Sequence, residues 1–344
     1  MAEYLTMFDH LIGNKPAKDT IRRYLVAGRL PNALLFAGPE GVGKKQFALA
    51  IAKSIVCTRG ETGTACGVCP ACHRAQVFKF PPSDEKDEHK KVIFSEHPDV
   101  GMVIPYNRNI LVDAIRALET EANFRPFEAP ARVFIIDDAH RMNDSASNAL
   151  LKTLEEPPAT SHIFLVTSKP DALLPTIRSR SQILRFGPVD AAEIEHLLLT
   201  THEYSQEDAR IVAAYAAGNV AAAVTADPAP YRERVRLAIE ILRAAIVDAD
   251  IVTLLRKAEA LADAKNKEDF EPLLDVLEAA INMVWSARLG MATRAETDIA
   301  ELASHADPTR LASWITQIEE LRQTLAVNIN RKVAVDALMV TLAA

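Results

Sequence analysis

Gly38-Pro39-Glu40-Gly41-Val42-Gly43-Lys44 fits the pattern G-x-x-x-x-G-K, and its flanks restrict what the surrounding chain can be. Ala33-Leu34-Leu35-Phe36-Ala37, just before it, is an apolar run bounded by turn formers, which predicts a buried strand. Lys45 to Val56 reads as a helix. A glycine loop between strand and helix turns backbone N–H groups toward phosphate oxygens. The helix N-terminus favours anions, and the loop lysine reaches the outer phosphates. Gly38, Gly41, Val42, Gly43, Lys44 and Lys45 are therefore candidate nucleotide-binding residues. One position departs from the pattern. A Ser or Thr normally follows the lysine, and its hydroxyl holds Mg²⁺. Lys45 stands there and cannot ligate a cation, although its charge could replace one. ATP and Mg²⁺ are thus possible cofactors of a degenerate site.

Further elements follow the loop. Val133-Phe134-Ile135-Ile136-Asp137 reads as a second buried strand and Ile163 to Thr167 as a third; Ser181 to Phe186 leads into a fourth. Helices are expected over 17–27, 112–122 and 145–154, and Pro81 to Lys91 reads as a solvated loop. Strands alternating with helices indicate a parallel α/β sheet. Asp137 and Asp138 end the second strand. Asp137 fits the Mg²⁺-linked carboxylate, and Asp138 stands where a water-activating Glu is common. Asp is one methylene shorter, and general-base work needs a reach of about 3 Å, so hydrolysis should be impaired. Read alone, the pair would be two solvated acids at a strand end. Thr167 could touch the γ-phosphate, and Arg180, in Arg178-Ser179-Arg180-Ser181, could be a finger toward a neighbour's nucleotide or a surface ion pair.

The four cysteines cluster as Cys57-x8-Cys66-x2-Cys69-x2-Cys72. Four thiolates at this spacing suit tetrahedral Zn²⁺ in a closed structural site. Iron–sulfur ligation shares part of the pattern, and a redox C-x-x-C is a weaker alternative. His73 is surplus and reads as a surface residue.

The 344 residues suggest two or three domains, with nothing strand-like after Gly187-Pro188 and a boundary near 228. Leu311, Trp314, Ile315, Ile318, Leu321 and Leu325 form a helical stripe, read mostly as core. A net charge of −7 argues against a general nucleic-acid coat. No apolar stretch of about 18 residues suggests a membrane span, the N-terminus is too polar for a signal peptide, and a cytoplasmic protein is expected.

These motifs together resemble the bacterial clamp-loader ATPase family of DNA polymerase III. The resemblance runs through Pro31 to Lys44, the Cys₄ insert directly after the loop helix, His97-Pro98-Asp99, Ile136 to Met142, Ala149 to Pro158 and Leu174 to Ser181, with a weaker feature at Asn328-Ile329-Asn330. It implies an AAA+ P-loop domain over 1–188 with a zinc module at 57–72, a helical lid over 189–228 and an all-α collar over 229–344. Two member types compete. The γ/τ motor type carries Ser or Thr after the loop lysine, an Asp-Glu pair and a lid arginine. Here those positions are Lys45, Asp138 and Ala221, which points to the delta prime (δ′) type. The family's Ser-Arg-Cys appears as Ser179-Arg180-Ser181, retaining the arginine. The resemblance implies a stationary subunit in a heteropentameric ring with γ/τ and δ, which places a sliding clamp on primer–template DNA. Such a subunit has no polymerase activity, weak or no ATPase, and an arginine finger at Arg180 acting in trans. The alternatives are an ATP-hydrolysing motor subunit or other AAA+ ATPase, and a stand-alone nucleic-acid-binding zinc protein.

Overall fold

The computed structural model describes Phe8 and residues 11–60, 64–262, 270–291, 297–325 and 331–343. Asn328-Ile329-Asn330 and the side chain of Leu325 lie outside what is described. The chain divides into two compact units, one of residues 1–193 with 218–221, the other of 194–217 with 222–344.

The first unit is a three-layer α/β domain. Its elements run α1 (Lys15–Val26), β1 (Ala33–Ala37), α2 (Lys44–Val56), α3 (Pro70–Arg74), β2 (Ile93–Phe94), β3 (Val100–Val103), α4 (Val112–Ala122), β4 (Arg132–Ile136), α5 (Asp144–Glu155), β5 (Ser161–Thr167), α6 (Pro175–Ser179) and β6 (Gln182–Arg185). The sheet order is β2-β3-β4-β5-β1-β6, parallel except for the β2–β3 pair. Every residue of β1 is buried, as a strand covered on both faces requires. Its side chains alternate. Leu34 and Phe36 enter one core with Phe47, Phe164 and Phe186, while Leu35 and Ala37 enter the other with Phe134, Ile136, Leu150 and Leu165. Phe47 meets Phe186 edge to face at 5.0 Å, which seats α2 on the sheet. α5 begins where the Asn143 side chain accepts from the Ala146 N–H at 2.9 Å.

Two features differ from the sequence reading. β2 and β3 form a sheet edge that the pattern did not signal. β3 is four residues long and interrupted by Gly101, and its strand character comes from pairing with β4 rather than from propensity. The loop over 81–91 is mostly exposed but carries a turn at Glu88–Lys90. There His89 is buried and packs edge to face on Tyr106 at 5.2 Å.

The second unit holds helices and no strand among its described residues. α7 (Ala191–Thr201), α8 (Gln206–Tyr215), α9 (Val220–Thr225), α10 (Pro228–Arg243), α11 (Ile251–Ala262), α12 (Phe270–Arg288), α13 (Thr297–His305), α14 (Pro308–Leu325) and α15 (Arg331–Ala343) follow in order, α7 and α9 shared with the first unit at their ends. α12 is the centre, packing on α8, α10, α13 and α14, while α15 packs on α11 and α14. Leu311, Trp314, Ile318 and Leu321 of α14 are buried, so the stripe is largely core; Ile315 is half-buried. No helix among the described residues is long and apolar enough to cross a membrane.

Candidate functional site

The carboxyl ends of β1, β4 and β5 lie side by side, where an open α/β sheet places its ligands. Gly38 opens the loop under Phe186. A Cβ at position 38 would stand 2.2 Å from the Phe186 carbonyl oxygen, so only glycine fits. Gly41 is left-handed at φ +71°, and a Cβ there would lie 1.6 Å from Asn219 Oδ1. The Ala221 N–H also donates to the Gly41 carbonyl at 3.0 Å. The segment 218–221 thus closes over the tip of the loop. In the sequence, Gly218-Asn219 stands out only as a pair of turn formers. The contact with Gly41 depends on chain reversal and leaves no local pattern.

Lys44 is the first residue of α2 and is 6% exposed. Its Nζ donates to the Gly38 carbonyl at 2.8 Å and to that of Pro39. Burial pushes this ammonium below the ordinary lysine range, against the pull of Glu40, Asp138 and Asp137. Lys45 Nζ lies 2.8 Å from Asp137 Oδ2, so the lysine that replaces the hydroxyl holds the carboxylate proposed for the metal. Asp137 also accepts from the Asp138 N–H at 3.2 Å. Asp138 is left-handed at φ 47° and pairs with Arg141 Nε at 3.2 Å. Thr167 ends β5, fully buried, with Oγ1 3.3 Å from His140 Nδ1 and accepting from the Lys169 N–H at 3.0 Å. Burial holds the His140 ring below the usual histidine range, so it is neutral at pH 7. His140 is a neighbour of the site that the sequence reading did not single out.

Arg180 lies elsewhere. β6 runs parallel to β1 with Gln182 opposite Leu34, which sets Arg180 roughly level with Asn32. That is about 20 Å along the strands from the phosphate loop, at the amino end of the sheet where the loop is at the carboxyl end. Its guanidinium pairs with Glu155 Oε1 at 2.8 Å and donates to the Thr176 carbonyl at 3.2 Å.

The four cysteine sulfurs lie within 4.8 Å of one another. A tetrahedral Zn²⁺ with bonds of about 2.3 Å has sulfur–sulfur edges of about 3.8 Å, and Cys57 Sγ to Cys69 Sγ is 3.9 Å. Backbone N–H groups surround them. Gly60 donates to Cys57 Sγ at 3.1 Å, Cys69 to Cys66 Sγ at 3.3 Å and Cys72 to Cys69 Sγ at 3.4 Å. Burial works against ionising Cys69, but hydrogen bonds from Cys72 and Thr58 outweigh it and hold the thiol at about 5. Such a donor set fits a thiophilic metal such as Zn²⁺. Cys72 Sγ also reaches the Lys53 carbonyl at 3.9 Å, tying the cluster to α2. His73 is exposed.

The strand order, the glycine loop after β1 and the acidic pair after β4 define a P-loop α/β domain of the AAA+ type, carrying a four-cysteine insert. A family model described as DNA polymerase III, delta subunit, matches residues 13–190, just over half the chain. The delta' subunit of DNA polymerase III from Escherichia coli K12 is 27% identical over 321 residues, spanning 91% of this chain and 89% of that one. The delta' subunit from Bacillus subtilis 168 is 35% identical over 57% of this chain and 54% of its own length. The gamma/tau subunit from Mycobacterium tuberculosis H37Rv is 34% identical over 51% of this chain, which spans only 27% of that relative. The chain belongs to the matched family and stands among the clamp-loader subunits of DNA polymerase III.

Proposed function

We propose that the chain is a δ′-type subunit that supports ATP-driven loading of the sliding clamp on to primed DNA without turning over ATP itself. One observation carries this reading. The Lys45 ammonium occupies Asp137 at 2.8 Å, so both protein ligands expected for Mg²⁺ are lost, one by substitution and one by neutralisation. Asp138, short by a methylene and paired with Arg141, makes a poor base for an attacking water. The nearly end-to-end alignment with the E. coli delta' subunit favours this branch over the motor branch.

In this reading the subunit joins γ/τ and δ in a pentameric ring through a helical collar over 229–344, with a lid over 189–228. Arg180, at the end of the sheet away from the chain's own loop, reaches ATP bound by a neighbour. The zinc module braces α2 or meets a ring neighbour and takes no part in chemistry. The test is ATPase of the assembled loader with Arg180→Ala. Arginine fingers supply roughly 10³–10⁵ in rate in GTPases, so turnover at the adjoining site should fall by orders of magnitude while the chain stays folded. Unchanged turnover refutes the finger. Robust Mg²⁺-dependent hydrolysis by the isolated chain would instead assign it to the motor type.

A further inference from the structure

Alongside α2, from its first turn at Lys45 to Lys53 near its end, lies a cavity of about 330 Å³, lined by Lys45, Gln46, Leu49, Lys53, Gln76, Phe78, Phe80 and Met102. Its lining is unlike the rest of this acidic chain, which has 46 Asp and Glu against 39 Lys and Arg. Two lysines and two glutamines line it; Lys45 is held by Asp137 Oδ2 at 2.8 Å, which leaves Lys53 to supply the charge. Lys45 and Lys53 stand eight residues apart on one helix, about 12 Å along its axis. Lys53 Nζ donates to the Gln76 side-chain oxygen, and among the described residues it meets no carboxylate. Leu49 and buried Met102 supply apolar lining. Phe78 and Phe80 stack face to face, with centroids 5.5 Å apart and planes 9° apart, and Phe80 remains 49% exposed. Lys79 between them is exposed as well.

An aromatic platform beside amide and ammonium donors meets the needs of one chemistry. A planar heterocycle stacks on the ring, amides bond its edge, and a phosphate lies against the lysines. The volume is at the small-ligand end of the usual range, enough for about one nucleotide unit. We infer that this cavity is a nucleoside-phosphate site, separate from the phosphate loop, with the base on Phe80 and the phosphate at Lys53. An acidic peptide would also meet the lysines. The stacked phenylalanine pair and the two amides favour a base. The proposal does not rest on the role of the chain in a ring.

The unit could be a free nucleotide or part of a single strand, and two probes separate these sources. The full chain is titrated, without Mg²⁺, with methylanthraniloyl-AMP and with fluorescein-labelled oligo-dT. The readout is fluorescence anisotropy across a salt series. Binding of either probe is expected, weakened roughly 5- to 150-fold by Phe80→Ala. Lys53→Gln is expected to weaken it also and to lower the salt dependence by about one phosphate contact. Both side chains are partly exposed, so neither change unsettles the fold. Lys44→Ala, in the phosphate loop, reports any share of the probe held there instead. AMP binding assigns the site to free nucleotides, and oligo-dT binding alone assigns it to a strand. Binding lost in Lys44→Ala but kept in Phe80→Ala overturns the proposal in favour of the phosphate loop. No binding of either probe, or binding that neither Phe80→Ala nor Lys53→Gln weakens, overturns it outright, as does saturation by an acidic peptide only.

Discussion

Replacing Gly41 by Ala tests how the tip of the phosphate loop is held. Gly41 is left-handed at φ +71°. An alanine in that conformation costs about 1–2 kcal/mol. The new methyl would lie 1.6 Å from Asn219 Oδ1, a distance no packing tolerates, so Asn219 must leave. Its departure strains the Ala221 N–H bond to the Gly41 carbonyl, now 3.0 Å, whose net worth is about 1 kcal/mol. Together these come to about 2–3 kcal/mol. For a domain of 150–250 residues each kcal/mol moves the melting temperature about 2–4 °C, so the first unit should melt about 5–10 °C lower. Calorimetry of the full chain measures this. Adding Asn219→Gly should remove the clash and recover part of the loss, leaving the left-handed cost of about 1–2 kcal/mol. A neutral Gly41→Ala, or a double variant whose losses simply add, refutes the contact as described.

The Cys₄ cluster should hold one zinc per chain, read by atomic absorption. Chelation or Cys69→Ser should release it and destabilise the first unit by about 3–4 kcal/mol, the linkage expected for a ligand at a hundred- to thousandfold excess over its dissociation constant. Retention of full stability after zinc loss would remove the bracing role. Burial lowers the folded-state pKa of His97, His140 and His162, so the unfolded chain binds more protons at mildly acidic pH. The first unit should therefore keep its stability above about pH 6.5 and lose it progressively as pH falls below that value. His162, which bonds the Pro31 carbonyl through Nδ1 at 3.0 Å, is the clearest probe. His162→Gln should flatten the pH profile of the melting temperature, and an unchanged profile would exclude its share.

Most of the first unit was legible because burial writes itself into sequence. β1, β4 and β5 are apolar runs ended by turn residues, and they fell within two residues of the expected limits. The phosphate loop and the Cys₄ spacing were legible because the chemistry fixes residue type and separation together. β3 was not legible. Pro98 and Gly101 weaken its local signal, and its place beside β4 is decided by tertiary packing. The Lys45–Asp137 pair and the closure of Asn219 over Gly41 were also beyond reach, since each joins residues far apart in the chain. The sequence showed that Lys45 was the wrong residue for a metal. It could not show which carboxylate would take the lysine up.

The register of β6 on β1 has a consequence for assembly. Arg180 and the phosphate loop sit at opposite ends of the neighbouring strands β6 and β1, so the first unit is polar: it carries an arginine at the amino end of the sheet and a nucleotide cradle at the carboxyl end. A two-fold pairing would bring like ends together and satisfy neither. Only head-to-tail contacts join the two, and these are heterologous, closing into rings or continuing as filaments. In the proposed reading, a cradle whose Lys45 ammonium already holds Asp137 would make this chain an end point of such a series.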